Sequence, residues 1–297
     1  MNIRSLYQVR CWQTVLYSEI ANFLNPQTVI GHCKMTTTEK IVTLARRYCI
    51  DNFRYWTDKY QNERTGNDFP YTYTDKDYDL FPRYQALDAI LKGVETVVGQ
   101  SFSDRDECIG VLKNIGQDSQ TLFTNGNHNE IEKRAIQDER NKFIKFIDGL
   151  TDQQLETVEP LPFKRRILET EANAVRQRLL EQWNFDGGYW EPLTNCSPKP
   201  FIFFDKSNLT DNDFEKIKQI IVKQASDRLF SVSEERYDYE IDKSEFDPDC
   251  YETVYSDKTF DWIIYGSHEG TISFGGTWLL EEIEKQLSDK KELINQW

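Results

Sequence analysis

The chain has 297 residues, 38% hydrophobic and 13% aromatic, with a formal net charge of −14. That apolar content builds one large core or two smaller ones and excludes a disordered chain. No apolar run approaches the ~20 residues that cross a bilayer, and MNIRSLYQVRCWQTVLYSEI lacks a signal peptide's apolar core, so a cytoplasmic location without membrane contact is expected.

Residues 1–34 read as either a packed extra helix or an extension ahead of Met35. From Thr38 to Trp183 the apolar period is helical. Ile41, Leu44 and Tyr48 form one stripe, and Cys49, Phe53, Trp56 and Tyr60 continue it. Asp68–Tyr84, DFPYTYTDKDYDLFPRY, breaks the period and reads as a long connector or binding loop, with Tyr71 and Tyr73 as rigid contacts. Its Asp75, Asp77 and Asp79 alternate as in a calcium loop, but the required Gly and distal Glu are missing. Leu87, Leu91, Val94 and Val98 then resume helical spacing after Pro82, and further helices follow over about 103–115, 129–147 and 172–183.

Two glycines and three prolines in FDGGYWEPLTNCSPKP mark a break. The expected organisation is a helical domain over 1–184, a linker over 185–200 and an acidic α+β domain over 201–297. In the last, PFIFF, RLFSVS, YDYEI, ETVYS, FDWIIY and TISF read as strands, and helices follow Thr210 and Thr277. The fold class is therefore α+β: a helical N-terminal half, then a smaller antiparallel sheet with helices packed on one face.

Charge is concentrated late in the chain. Residues 201–297 carry 22 acidic and 11 basic side chains. The densest stretch, Ser233–Glu252, supplies Glu234, Glu235, Asp238, Glu240, Asp247 and Asp249 as candidate binding residues for a basic protein partner. The same field disfavours direct nucleic-acid binding by this half. The basic cluster Lys164, Arg165, Arg166, Arg176 and Arg178 lies just upstream, and an internal match to these acids is the favoured reading of it.

The chemistry-bearing candidate is the hairpin loop Gly266-Ser267-His268-Glu269-Gly270. His268 suits a general base, with Glu269 or another carboxylate to orient it. Ser267 lacks a nucleophile elbow, and a lone His with no partner at i+2 or i+4 gives no metal site. The six cysteines, Cys11, Cys33, Cys49, Cys108, Cys196 and Cys250, show no CxxC spacing and read as free thiols. No GxGxxG or GxxxxGK[ST] occurs, so no cofactor is expected.

These features favour a cytosolic protein-binding module, an inhibitor or immunity-type protein for a basic partner. The alternatives are a hydrolase-like enzyme using His268 with a carboxylate, and a small-ligand binder at the domain junction. In general layout, a helical half joined to a small acidic α+β half resembles bacterial toxin-neutralising or accessory proteins, a likeness of fold alone.

Overall fold

The computed structural model describes residues 35–64, 72–125, 129–190, 200–234 and 237–296. The chain divides into two compact units, one spanning Cys33–Leu161 and the other holding Pro162–Trp297. Among the described residues no helix is long and apolar enough to cross a membrane.

The first unit is helical: α1 (Thr37–Glu63), α2 (Asp75–Val94), α3 (Arg105–Asp118), α4 (Glu130–Asp148) and the short α5 (Asp152–Glu156). The α1 stripe buries Ile41, Ala45, Cys49 and Phe53, and α2 adds Leu80, Leu87 and Ile90. Helix α2 starts inside the stretch read as a loop. Thr74 caps it, and Asp77 Oδ2 accepts from the Thr74 amide at 2.9 Å and from its hydroxyl at 2.8 Å. This reciprocal cap sets the helix start upstream of Pro82, which lies inside the helix. Asp79 pairs with Arg83 at 2.7 Å, and Arg83 reaches the buried Glu139 at 2.8 Å. Asp77 and Asp79 are therefore engaged within the helical unit, and the calcium-loop likeness disappears. Tyr73 packs on Tyr78 and Phe81 while remaining 46% exposed. Tyr71 lies outside the described residues.

The second unit is built on a seven-stranded antiparallel sheet. Its strands are β1 (Lys164–Arg166), β2 (Phe201–Asp205), β3 (Arg228–Ser233), β4 (Tyr239–Asp242), β5 (Thr253–Ser256), β6 (Ile263–Gly266) and β7 (Thr271–Gly275). Their order across the sheet is β1-β4-β3-β5-β6-β7-β2. Alternation along the strands gives two apolar faces. Leu229, Tyr255, Ile264, Ile272 and Phe274 point one way, against Ile217, Ile220 and Ile221 of α7 (Asp211–Gln224) and Leu279 and Ile283 of α8 (Thr277–Gln286).

The other face carries Val232, Val254, Ile263 and Tyr265, and packs against α6 (Glu169–Trp183) through Val175, Leu179 and Trp183. The sheet is thus covered on both faces, not one. The division between units falls between Leu161 and Pro162, not over 185–200. The physical reason is that the apolar stripe of α6 has the sheet as its partner. Phe185 and Trp190 are buried in the same cluster, and the Trp190 indole donates to the Trp183 carbonyl at 2.9 Å. The glycines after Trp183 mark the end of a helix within the unit. The three-residue β1, all basic, pairs with β4, and carries no apolar alternation to announce a strand.

Candidate functional site

Among the described residues, four of the nine acids of the Ser233–Glu252 run pair with arginine or lysine side chains. Asp238 is buried and takes a bidentate grip from Arg176, at 2.8 Å from Nε and 2.7 Å from Nη2. The same guanidinium donates to the Ser233 carbonyl at 2.6 Å, and the Ser233 amide donates to Asp238 at 3.2 Å. Arg165 bridges Glu240 at 2.8 Å and Glu171 at 2.6 Å. Asp242 pairs with Arg228 at 2.8 Å, and Asp249 pairs with Lys206 at 3.1 Å while staying exposed. Burial, aided by the like charge of Asp249, raises the Asp247 carboxyl above its ordinary range. Glu235 lies outside the described residues. Asp238, Glu240 and Asp242 are therefore engaged by arginines of the same unit. The internal match accounts for Arg165 and Arg176, while Arg166 stacks on Tyr237 at 3.4 Å.

Two acids of the run go elsewhere. Ser233 pairs with Thr253, and Thr253 pairs with Gly266. The next residues, Glu234 after β3, Glu252 before β5 and the β6–β7 loop, therefore gather at one end of the sheet. The Glu234 amide donates to the Glu252 carbonyl at 3.1 Å. Glu252 itself has φ +47°, a left-handed conformation uncommon outside glycine. Gly266 is required here, because a Cβ on it would lie 2.1 Å from the Cys250 carbonyl oxygen. That close approach lays the Cys250–Glu252 segment across the end of β6.

The loop joining β6 to β7 holds Ser267–Gly270. The Ser267 amide donates to the Thr271 carbonyl at 3.0 Å, and Gly270 closes the turn with φ +81°. The buried Ser267 hydroxyl pairs with Thr271 Oγ1 at 2.8 Å and accepts from the Glu269 and Thr271 amides at 3.2 and 3.3 Å. It is committed to the hairpin, not offered as a nucleophile.

His268 is exposed at the tip, with Nδ1 3.5 Å from Glu252 Oε1. Its ring lies 5.3 Å from that of Tyr189, whose hydroxyl donates to Glu269 at 3.1 Å. The carboxylate facing His268 is thus Glu252, while its sequence neighbour Glu269 is held by Tyr189. On the other side, the Tyr265 hydroxyl donates to Glu234 Oε1. Burial, followed by the hydrogen bond and charge of Glu234, raises the Tyr265 hydroxyl well above the ordinary tyrosine range, so it stays a donor. Phe185, Tyr189 and Trp190 surround that ring at 6.0–6.5 Å between centroids. One ligating atom each from Glu234, Glu252 and His268 lies within 4.8 Å of the other two.

Sequence reasoning placed His268 and Glu234 among the candidates but did not connect them. It missed Glu252 as the partner of His268, and it missed Tyr189 and Tyr265 altogether. The available signal was register: pairing the ETVYS and FDWIIY strands sets Glu252 beside the loop that follows Tyr265. Comparisons with family models, with curated proteins and with solved structures gave no match to this chain.

Proposed function

We propose that the chain is a non-enzymatic binding module that takes a positively charged ligand at this end of the sheet. The observation that carries this reading is the convergence of Glu234, Glu252 and His268, with ligating atoms within 4.8 Å of one another, beside the Tyr189 ring. Two carboxylates held this close by separate strands repel each other, and a cation placed between them relieves that repulsion. The excess of 22 acidic over 11 basic side chains in residues 201–297 attracts such a ligand from a distance. A lysine or arginine of a basic protein is one ligand of this kind, as for an inhibitor or immunity-type protein, and a metal ion is another.

Hydrolysis is less well supported. Among the described residues His268 meets Glu252 and Tyr189, and the neighbouring Ser267 hydroxyl is spent within the loop. The test is amide-resolved NMR during titration with an arginine- and lysine-rich peptide and with simple cations. Shifts should concentrate at Glu234, Glu252 and Ser267–Gly270 and weaken as salt is raised. Silence of these amides toward every cation tried defeats the proposal.

A further inference from the structure

The geometry points to a divalent metal ion as the ligand: we infer that Glu234, Glu252 and His268 form a binding site for a first-row ion of the zinc class. This rests on the reading that the sheet end takes a positive charge, and it names the charge carrier.

The spacing of the three side chains fits a coordinated ion. Zinc sits 2.0–2.2 Å from carboxylate oxygen and imidazole nitrogen, so two tetrahedral ligands lie roughly 3.4 Å apart. The separation of His268 Nδ1 from Glu252 Oε1 is 3.5 Å. That is beyond the usual N–H···O hydrogen-bond range, but it matches an edge of a coordination tetrahedron. The third ligand, Glu234, lies within 4.8 Å of both, so a modest side-chain rotation completes the set.

The donor set decides the ion. A neutral imidazole with two carboxylates suits zinc and its first-row neighbours, whereas calcium and magnesium prefer oxygen alone. Two carboxylates also balance a doubly charged ion.

Support from behind the ligands is present as well. Tyr265 donates to Glu234 Oε1 and is itself buried, which fixes that carboxylate as an outer hydrogen bond fixes a metal ligand. Strand register and the amide bond from Glu234 to the Glu252 carbonyl hold the two glutamates together. Tyr189 keeps Glu269 engaged and outside the set. Three protein ligands leave a fourth position for water or a partner's side chain, and the 41% exposure of the His268 side chain leaves that side accessible.

The experiment uses the full chain, stripped with a chelator and titrated with Zn2+ against a chromophoric competitor, and separately with Co2+ followed by visible absorption. One equivalent should bind, and the Co2+ spectrum should show tetrahedral bands without thiolate charge transfer, which separates this site from the cysteines. His268→Ala and Glu252→Gln should each weaken binding by at least tenfold, and Tyr265→Phe by about tenfold. Circular dichroism of each variant checks that the fold is intact. Binding that is unchanged in His268→Ala and Glu252→Gln, or that shows thiolate bands, overturns the metal site. If Zn2+ leaves the protein untouched while the basic peptide still shifts the sheet-end amides, only the metal inference falls. If both are silent, the cationic-ligand reading falls with it.

Discussion

The same twenty-residue run feeds two groups of carboxylates that live differently. Asp238, Glu240 and Asp242, on and beside β4, meet arginines: Arg176, Arg165 and Arg228 at 2.7–2.8 Å. Glu234 and Glu252, at the ends of β3 and β5, meet instead a tyrosine hydroxyl and an imidazole. Guanidinium pairs with matched geometry neutralise charge and tie α6 and β1 to the sheet. Hydroxyl and imidazole partners position a carboxylate without the matched two-point pairing that a guanidinium gives. A high density of acidic residues therefore says little by itself about a binding surface, and the kind of partner each acid has says much more.

If that distinction holds, breaking the first group should cost stability, and breaking the second should cost only ligand. The largest effect is expected for Asp238→Ala, which strips a buried bidentate pair and leaves the Arg176 head and the Ser233 amide without their partner. A loss of about 3 kcal/mol is expected, measured as a shift in urea unfolding followed by the buried Trp183, Trp190 and Trp262. A loss below about 1 kcal/mol would place Asp238 with the second group.

Asp213 extends the first group to the far side of the sheet. It caps α7 through Thr210 and faces Lys216 at 3.3 Å and Lys290 at 3.4 Å. Burial works to raise its carboxyl, but the Thr210 hydrogen bonds, Lys216 and Lys290 outweigh it and lower it to about 2. A depressed carboxylate stabilises the fold above its unfolded value near 4, and that contribution is lost as pH falls through about 2. Asp213→Asn should therefore cost about 1 kcal/mol at pH 7. The gap between variant and wild type should close between pH 4 and pH 2. A gap that does not change over that interval contradicts the assignment.

Ser267→Ala is the next step down. It removes the hydroxyl's contacts with Thr271 and the Glu269 amide, for about 1 kcal/mol. Cation binding should change far less than in His268→Ala, because the Ser267 hydroxyl bonds Thr271 and the Glu269 amide and not the side chain of a proposed ligand. The smallest stability effect, within about 0.5 kcal/mol, is expected for Glu252→Gln, a change at a part-exposed group. Its melting curve should overlay that of wild type while cation binding weakens by at least tenfold. A large destabilisation would move Glu252 into the structural group.

The fold was legible where local chemistry and burial agree. RLFSVS, PFIFF and TISF became β3, β2 and β7 because alternation or an apolar run reports a pleated, buried strand. The helix expected after Thr210 formed, with a reciprocal capping box at its start. The start of α2 was missed because its first turn is aspartate-rich and its apolar spacing begins later. The unit boundary was missed because an apolar helical stripe does not say whether its partner is a helix or a sheet. The candidate site was half legible: His268 stood out by rarity, but its neighbours come from two other strand ends. Only three-dimensional register brings Glu234 and Glu252 to it, and Tyr189 reaches it from the segment after α6.

The close approach at Gly266 has a kinetic corollary. Cys250 lies buried at the start of the same segment that presents Glu252, and burial pushes its thiol up to about 12. In the closed state it is neither reachable nor ionised at neutral pH, so an alkylating reagent reacts only when the Cys250–Glu252 segment lifts away from β6. Its labelling rate is therefore a clock for transient opening of the sheet end. A ligand that bridges Glu252 to Glu234 and His268 pins that segment down, so the clock slows in proportion to occupancy.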